Sequence, residues 1–516
     1  MGCRKVQALG PLVAAAVVVA SVGAEAAWWK GLNWSKDGSL NNDYWDGFGI
    51  SYEDWYATGG HSSINSSTWE NVEAVFEVKD TRFFVNLDDD FVCRNVTAFQ
   101  GATGGQMTMD LRGHDFATLS GSWGFFFKGN NGDIVISNGT VSVKKGLNVG
   151  DSNGCSNTLT VVNATVAYPE SVAVGREAST GNTLVVDLGG RILLSNTDGV
   201  HGNWGLVVGE RSAECDNTLI VRNGGVITNT ASTLFVGQDG NGNSLRVESA
   251  GYVYREGYMH LANASSGSGA APSGNSIVID GAGSEFFVNS HFLVGNGVDM
   301  QFKNLGNKVK VSNGGFLHVH NDFLMRSSGN EVVVSNGTIR IDEGGLRLAP
   351  EIGGVTSNKL TVAGTSPWIR TSYDFTALNG ATLKFIVPAG GYVAPAGFDA
   401  LNESFGDLKS ADGGITYVPV TAGVFLTIGA DTTLEVDALE FSKSIQHTTT
   451  IPLIRGCGYG NDSSVTPEMI AAWNENLPDG CTVSMMGDKY TSSDWGQKTL
   501  MLTVKPYNNG MRVMIR

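Results

Sequence analysis

The sequence predicts an all-β fold: a single-stranded parallel β-helix, a solenoid of about ten coils with three short strands each, with capping regions at both ends. Three observations carry that prediction. An Asn placed before an aliphatic–x–aliphatic triplet returns at Asn157, Asn182, Asn217, Asn243, Asn275, Asn307, Asn330 and Asn358, at intervals of 23 to 35 residues. Glycine fills 69 of 516 positions, about twice the usual ~7%. Charged residues make up only 16%, too few to give long helices a polar face, whereas the apolar 41% is ample for a core.

Taken in order, the chain opens with Arg4 and Lys5, an apolar run from Ala8 to Ala20, and Ala24-Glu25-Ala26. That succession of charged, apolar and small residues is a secretory signal, assigned to residues 1–27. The apolar run is shorter than the ~20 residues needed to span a bilayer. Cys3 precedes it and is therefore not a lipidated cleavage-site cysteine. Because no later run reaches membrane length, no membrane insertion is expected after signal removal, and the expected location is secreted, periplasmic or cell-surface.

Residues 28–94 form the expected amino-terminal cap. Six of the eleven tryptophans lie here, at Trp28, Trp29, Trp34, Trp45, Trp55 and Trp69. An open solenoid end exposes apolar side chains and unpaired strand edges, so aromatic capping is the first reading. A flat row of Trp28, Trp29, Trp34 and Trp45 stacking on sugars is the binding alternative.

Residues 95–375 hold the repeats. Each has a triplet after the Asn (Leu159/Val161, Leu184/Val186, Leu219/Val221), a second triplet after a glycine (Val141/Val143, Ile192/Leu194, Leu317/Val319), and a third run ending in Val-Gly at Gly150, Gly175, Gly209, Gly237 and Gly295. Period-two alternation sends each aliphatic pair inward, to stack on its equivalent one coil away. The closing glycine supplies the positive φ of a sharp corner. The recurrent Asn is placed at another corner, its amide bonding its own and the neighbouring coil, so that Asn157, Asn182 and Asn217 build a ladder. Cys155 and Cys215 both sit two residues before their Asn, but the coil carrying Thr180 lies between them. Two rungs are about 9.6 Å apart, beyond the ~7 Å Cα limit for a disulfide.

Residues 376–516 read as irregular coils and a β-rich carboxy-terminal cap. Thr466-Pro467-Glu468 is an N-cap and first-turn proline ahead of a short helix, and TLMLTVKP from Thr499 is a closing strand. Five cysteines follow the signal, and Cys457 and Cys481 are the local pair expected to bridge, closing a loop for roughly 3 kcal/mol.

The pattern N-T-L-x-V…G-x-V…L-x-V-G resembles the β-helical repeats of autotransporter passengers and the repeats associated with secreted PEP-CTERM-type bacterial proteins. Trp29-Lys30-Gly31-Leu32-Asn33-Trp34 likewise resembles the aromatic entry seen before exported β-repeat regions. The likeness covers about half of the chain and implies an exported bacterial β-helix. It implies no activity. The sequence departs from both families in carrying neither a run of amphipathic barrel strands nor a Pro-Glu-Pro tail; it ends at MRVMIR.

A net charge of −16 argues against nucleic acid and anionic membranes as partners. Extracellular glycans or surface components remain, and oligomeric state is not readable. Pectin hydrolases of this fold show Asn-Thr-Asp, Asp-Asp, Gly-His-Gly and Arg-x-Lys; here Asn-Thr is followed by Leu159, Leu184 and Leu219 at inward positions. Asp88-Asp89-Asp90 near Arg94 reads as a solvated turn, and the Asp239-Gly-Asn241-Gly-Asn243 run as a corner, because the twelfth position of a calcium loop is Ala250. His318 and His320 share an outer face, and His291 aligns with Asp322 one coil later; these four are the candidate metal ligands, set against a plain polar surface. No catalytic residue and no cofactor are assigned. The leading expectation is a non-enzymatic structural, adhesive or matrix protein, with a polysaccharide lyase or hydrolase and a sugar-binding module as rivals.

Overall fold

The computed structural model describes residues 32–34, 73–76, 82–87, 90–93, 95–98, 103–118, 125–127, 129–151, 154–167, 169–195, 205–210, 216–230, 233–264, 272–296, 305–348, 356–396, 398, 417–459, 465–487 and 495–507. It is a succession of short strands wound into three sheets whose coil-to-coil pairings are parallel, the predicted parallel β-helix. Among the described residues the sheets hold 14, 15 and 13 strands, so the helix is longer than ten coils. At ~4.8 Å per rung the fourteen-stranded wall is about 62 Å long. Coils begin earlier and end later than residues 95–375: Leu32–Trp34 pairs with Arg82–Leu87, and Thr382–Ile386 pairs with Thr433–Asp437, all in parallel register.

The register makes the inward columns explicit. In the first wall Ile134, Leu159, Leu184, Leu219, Leu245 and Ile277 follow one another on successive rungs, all fully buried. The second wall stacks Val141, Val166, Ile192, Ile227 and Val253. The third stacks Val149, Val174, Val208, Val236 and Leu261, with Phe292 and Phe323 ring to ring at 4.6 Å. In the rung ending at Gly295 the inward residues are Phe292 and Val294, and Leu293 points out of the core cluster. Each buried aliphatic contributes roughly 1.5–3 kcal/mol, and each face is buried only by its neighbours.

The Asn ladder forms as predicted. Asn182 Oδ1 accepts from both the backbone N–H (3.0 Å) and Nδ2 (3.1 Å) of Asn157, whose Nδ2 also donates to the Gly129 carbonyl. The same geometry continues through Asn217, Asn243, Asn275, Asn307, Asn330 and Asn358, every one fully buried. The corner assignment needs correction. Asn and glycine occupy the same third-to-first corner rather than different ones. A Cβ at Gly150, Gly175, Gly209 or Gly237 would run into the amide of Asn182, Asn217, Asn243 or Asn275. Those glycines have φ of 76° to 79°, so each is required by backbone conformation and by its ladder partner together.

The carboxy-terminal cap follows the sequence in its helix but not in its disulfide. Pro467–Asn476 is helical, and the Thr466 hydroxyl accepts from the Met469 N–H at 3.3 Å. The Trp473 indole donates to the Thr432 carbonyl (2.8 Å), closing the last coil. The second wall runs on into antiparallel strands, where Cys457 lies opposite Gln497 and Cys481 opposite Val504. Seven residues of one strand separate those partners, about 23 Å, so the expected Cys457–Cys481 bridge is not formed. Cys481 is a free, buried thiol, and burial raises its pKa. Cys155 accepts a hydrogen bond from Thr180 Oγ1 (3.4 Å), which is the intervening rung expected from the repeat alignment.

Candidate functional site

Loop length varies beside one wall only through most of the rod. From Ser137 to Trp368 the first wall passes to the second through short turns, such as those between Ser137 and Thr140 or Ser312 and Phe316. The long connections flank the third wall instead: Leu194 to Leu206 before it, and Asn263 to Ser276, Asn296 to Lys308 and Arg347 to Lys359 after it. Variable loops on a fixed scaffold are where binding residues concentrate.

The outer face of the third wall is also the best covered. Ala173, Val207, Phe235 and Leu293 point away from the core on successive or near-successive rungs, yet each is buried. Among them a cavity of about 70 Å³ is lined by Asn148, Ser171, Ala173, Arg176, Val207 and Glu210, with Arg176 Nε 3.2 Å from Glu210 Oε2. His260 continues the column, its ring 4.9 Å from that of Phe235. Burial, reinforced by the charges of Arg326 and Arg255, pushes its pKa down to about 4, so the imidazole is neutral at pH 7.

The corner where the second wall turns into the third collects the remaining chemistry. Tyr258, His291, Asp322, Gly345, Asp374 and Phe425 occupy equivalent positions on six successive rungs, fixed by the strands that follow them. Tyr258 stacks on His291 at 5.3 Å and 15°. His291 Nδ1 lies 3.3 Å from Asp322 Oδ2, and Asp322 Oδ1 accepts from the Gly345 N–H at 3.0 Å. Arg347 reaches back 3.8 Å to Asp322 and donates from Nε to Asp374 Oδ2 at 3.0 Å. Gly345 is needed here because a Cβ would meet the Asp374 carboxylate. Buried Arg255 holds the start of the row, donating to the Tyr258 carbonyl (3.0 Å) from a second-wall position that faces the core.

The candidate metal ligands divide between two walls. His318 Nε2 meets Asp342 Oδ2 at 2.6 Å on the second wall, His320 meets Glu343 at 3.4 Å, and His291 meets Asp322 as above. They are separate imidazole–carboxylate pairs, and among the described residues no three His, Cys, Asp or Glu side chains converge on one point. Burial opposes ionisation of Asp342, but hydrogen bonds from His318 and Arg340 and their charges outweigh it and lower its pKa. The ring of His318 stacks on Phe287 at 4.3 Å, and Phe287 lies 5.4 Å from Tyr254, so this outer column consumes its own ring faces.

Of the remaining sequence candidates, Trp28, Trp29 and Trp45 lie outside the described residues, as do Asp88, Asp89 and Arg94. Trp34 ends the strand Leu32–Trp34, and its side chain lies outside them too. Asp90 accepts from the Asp115 N–H at 3.0 Å. The Asp239–Asn243 run is a corner, where Asn241 Oδ1 accepts from the Ser273 N–H. The sequence aligns only His291 with Asp322; the extension of that column to Tyr258, Gly345, Asp374 and Phe425 is hidden because loops of unequal length separate its members. The retrievable signal was the residue just before each third strand.

No family model matches this sequence, and neither a curated protein nor a solved structure does.

Proposed function

We propose that the chain is an exported, non-enzymatic β-solenoid with a structural and adhesive role at a cell surface or in an extracellular matrix. The observation that carries this reading is the continuous Asn ladder with its interlocking glycines. The polar position repeated most faithfully is buried and devoted to bonds between coils, which is the requirement of a rod that must hold its shape. The corner acids serve the same end, since Asp322, Arg347 and Asp374 pair across successive coils.

The same corner supports a second reading, a polysaccharide lyase or hydrolase, because two carboxylates, an imidazole and a guanidinium share one outward strip. A panel of plant, microbial and animal polysaccharides, scored for retention of the protein and for new reducing or unsaturated ends, separates the two. Retention without cleavage is expected. Cleavage abolished by Asp322→Asn or Asp374→Asn overturns the structural reading.

A further inference from the structure

Among the described residues four large aromatic side chains are exposed: Tyr258 (48%), Tyr373 (54%), Phe425 (37%) and Tyr507. Two of these four are members of the corner row, and a third adjoins it. Tyr258 stands at one end and Phe425 at the other, on the rung that pairs with Asp374, and Tyr373 is the residue immediately before Asp374. Five rungs separate the ends, about 24 Å at ~4.8 Å each. Between Tyr258 and Phe425 the row carries Gly345 and groups that exchange hydrogen bonds, the imidazole of His291 and the carboxylates of Asp322 and Asp374, with the guanidinium of Arg347 reaching in beside them; these polar groups are part-exposed.

From this arrangement we infer that the second-to-third corner is a binding site for an extended neutral glycan lying along the rod axis. The proposal rests on the adhesive reading and gives it a ligand class. A pyranose has an apolar C–H face and a polar rim. The face packs on a phenyl or phenol ring, and the rim hydroxyls donate to carboxylates and accept from guanidinium, a combination this row offers with rings at its ends and polar groups between them. One sugar unit of an extended chain is about as long as the ~4.8 Å rung spacing, so the polymer meets a fresh set of partners on each coil. Charge selects against acidic glycans: two carboxylates share one guanidinium here, and the whole chain carries −16. Aromatics at both ends with polar groups between them also suit an internal stretch of polymer rather than a chain end.

The test uses the full chain and immobilised β-glucan, xylan and galactomannan as neutral probes, with polygalacturonate as the acidic one. Tyr258→Ala, Tyr373→Ala and Phe425→Ala are each expected to weaken retention on a neutral probe by roughly tenfold, the equivalent of about 1.4 kcal/mol. Tyr258→Phe keeps the ring and is expected to keep most of the affinity. Because these side chains are exposed, melting temperatures should stay within about 2 °C of the parent. The glycan site is overturned by retention on no neutral probe, by preference for polygalacturonate, or by neutral-glycan binding that survives all three alanine substitutions. In that last case adhesion itself stands. Release of sugar products, by contrast, removes the adhesive reading whatever the variants do.

Discussion

Asn217 shows how much of the fold rests on single residues. Its Oδ1 accepts two hydrogen bonds from Asn182, and its Nδ2 donates to the Ser179 carbonyl and to Asn243 Oδ1. Asn217→Ala leaves buried donors and acceptors without partners at about 1–3 kcal/mol each, so a loss of roughly 3–5 kcal/mol is expected in urea or thermal unfolding. Gly175→Ala is also expected to be destabilising, because its φ of 76° and the Asn217 amide both exclude a Cβ. The two losses should not add. Truncating Asn217 vacates the space that the new methyl needs, so the double variant is expected to recover about 1 kcal/mol or more relative to the sum. Strict additivity would show that glycine and asparagine act independently at this corner.

Each wall of the rod behaves as an element with its own outer chemistry, and the third carries a pH dependence in a buried imidazole. Neutral His260 lies against Phe235 with Nδ1 buried and unpartnered, facing the charges of Arg326 and Arg255. Unfolded, the imidazole takes a proton as pH falls through about 6.5; folded, it does so only near 4. Protons therefore favour the unfolded chain, and the stability present above about 6.5 is lost as pH falls toward 4. His260→Phe is expected to lose less stability than the parent between pH 7.5 and pH 5, measured by urea midpoints; parallel pH profiles would refute this. The walls also differ in how far the sequence reveals them. The triplet of Leu219 and Val221 is legible because alternation and burial coincide. Val207 and Phe235 are not, since outward apolar residues between inward ones read as one continuous run. Arg255 and Asn229 are hidden too: both occupy inward second-wall positions, where periodicity calls for aliphatics. Of the Tyr258–Phe425 row the sequence shows only the His291–Asp322 step; the rest emerges from register, because the loops that separate its members scramble their sequence spacing.

At the scale of the whole rod, stability depends on how its ends are closed, since a solenoid presents an open strand edge wherever stacking stops. The first and third walls end at Thr433–Asp437 and Phe425–Ile428, under a cap that buries Phe441, Met469 and Trp473. The second wall instead continues through Thr449–Tyr459 and Trp495–Val504 to Cys481–Gly487, its last strand. That edge is blunted by a side chain acting as a missing strand: Asn474, on the helix Pro467–Asn476, accepts from the Val483 N–H (2.6 Å) and donates to the Val483 carbonyl (3.1 Å). Asn474→Ala removes both bonds and leaves one donor and one acceptor available to a second chain. The coils themselves, held by their own ladders, should be little affected. Light scattering across a dilution series is expected to show concentration-dependent association for Asn474→Ala beyond that of the parent, with the main melting transition shifted by no more than about 2 °C. Identical association states for the two proteins would mean that the helix, rather than the Asn474 amide, is what protects the edge.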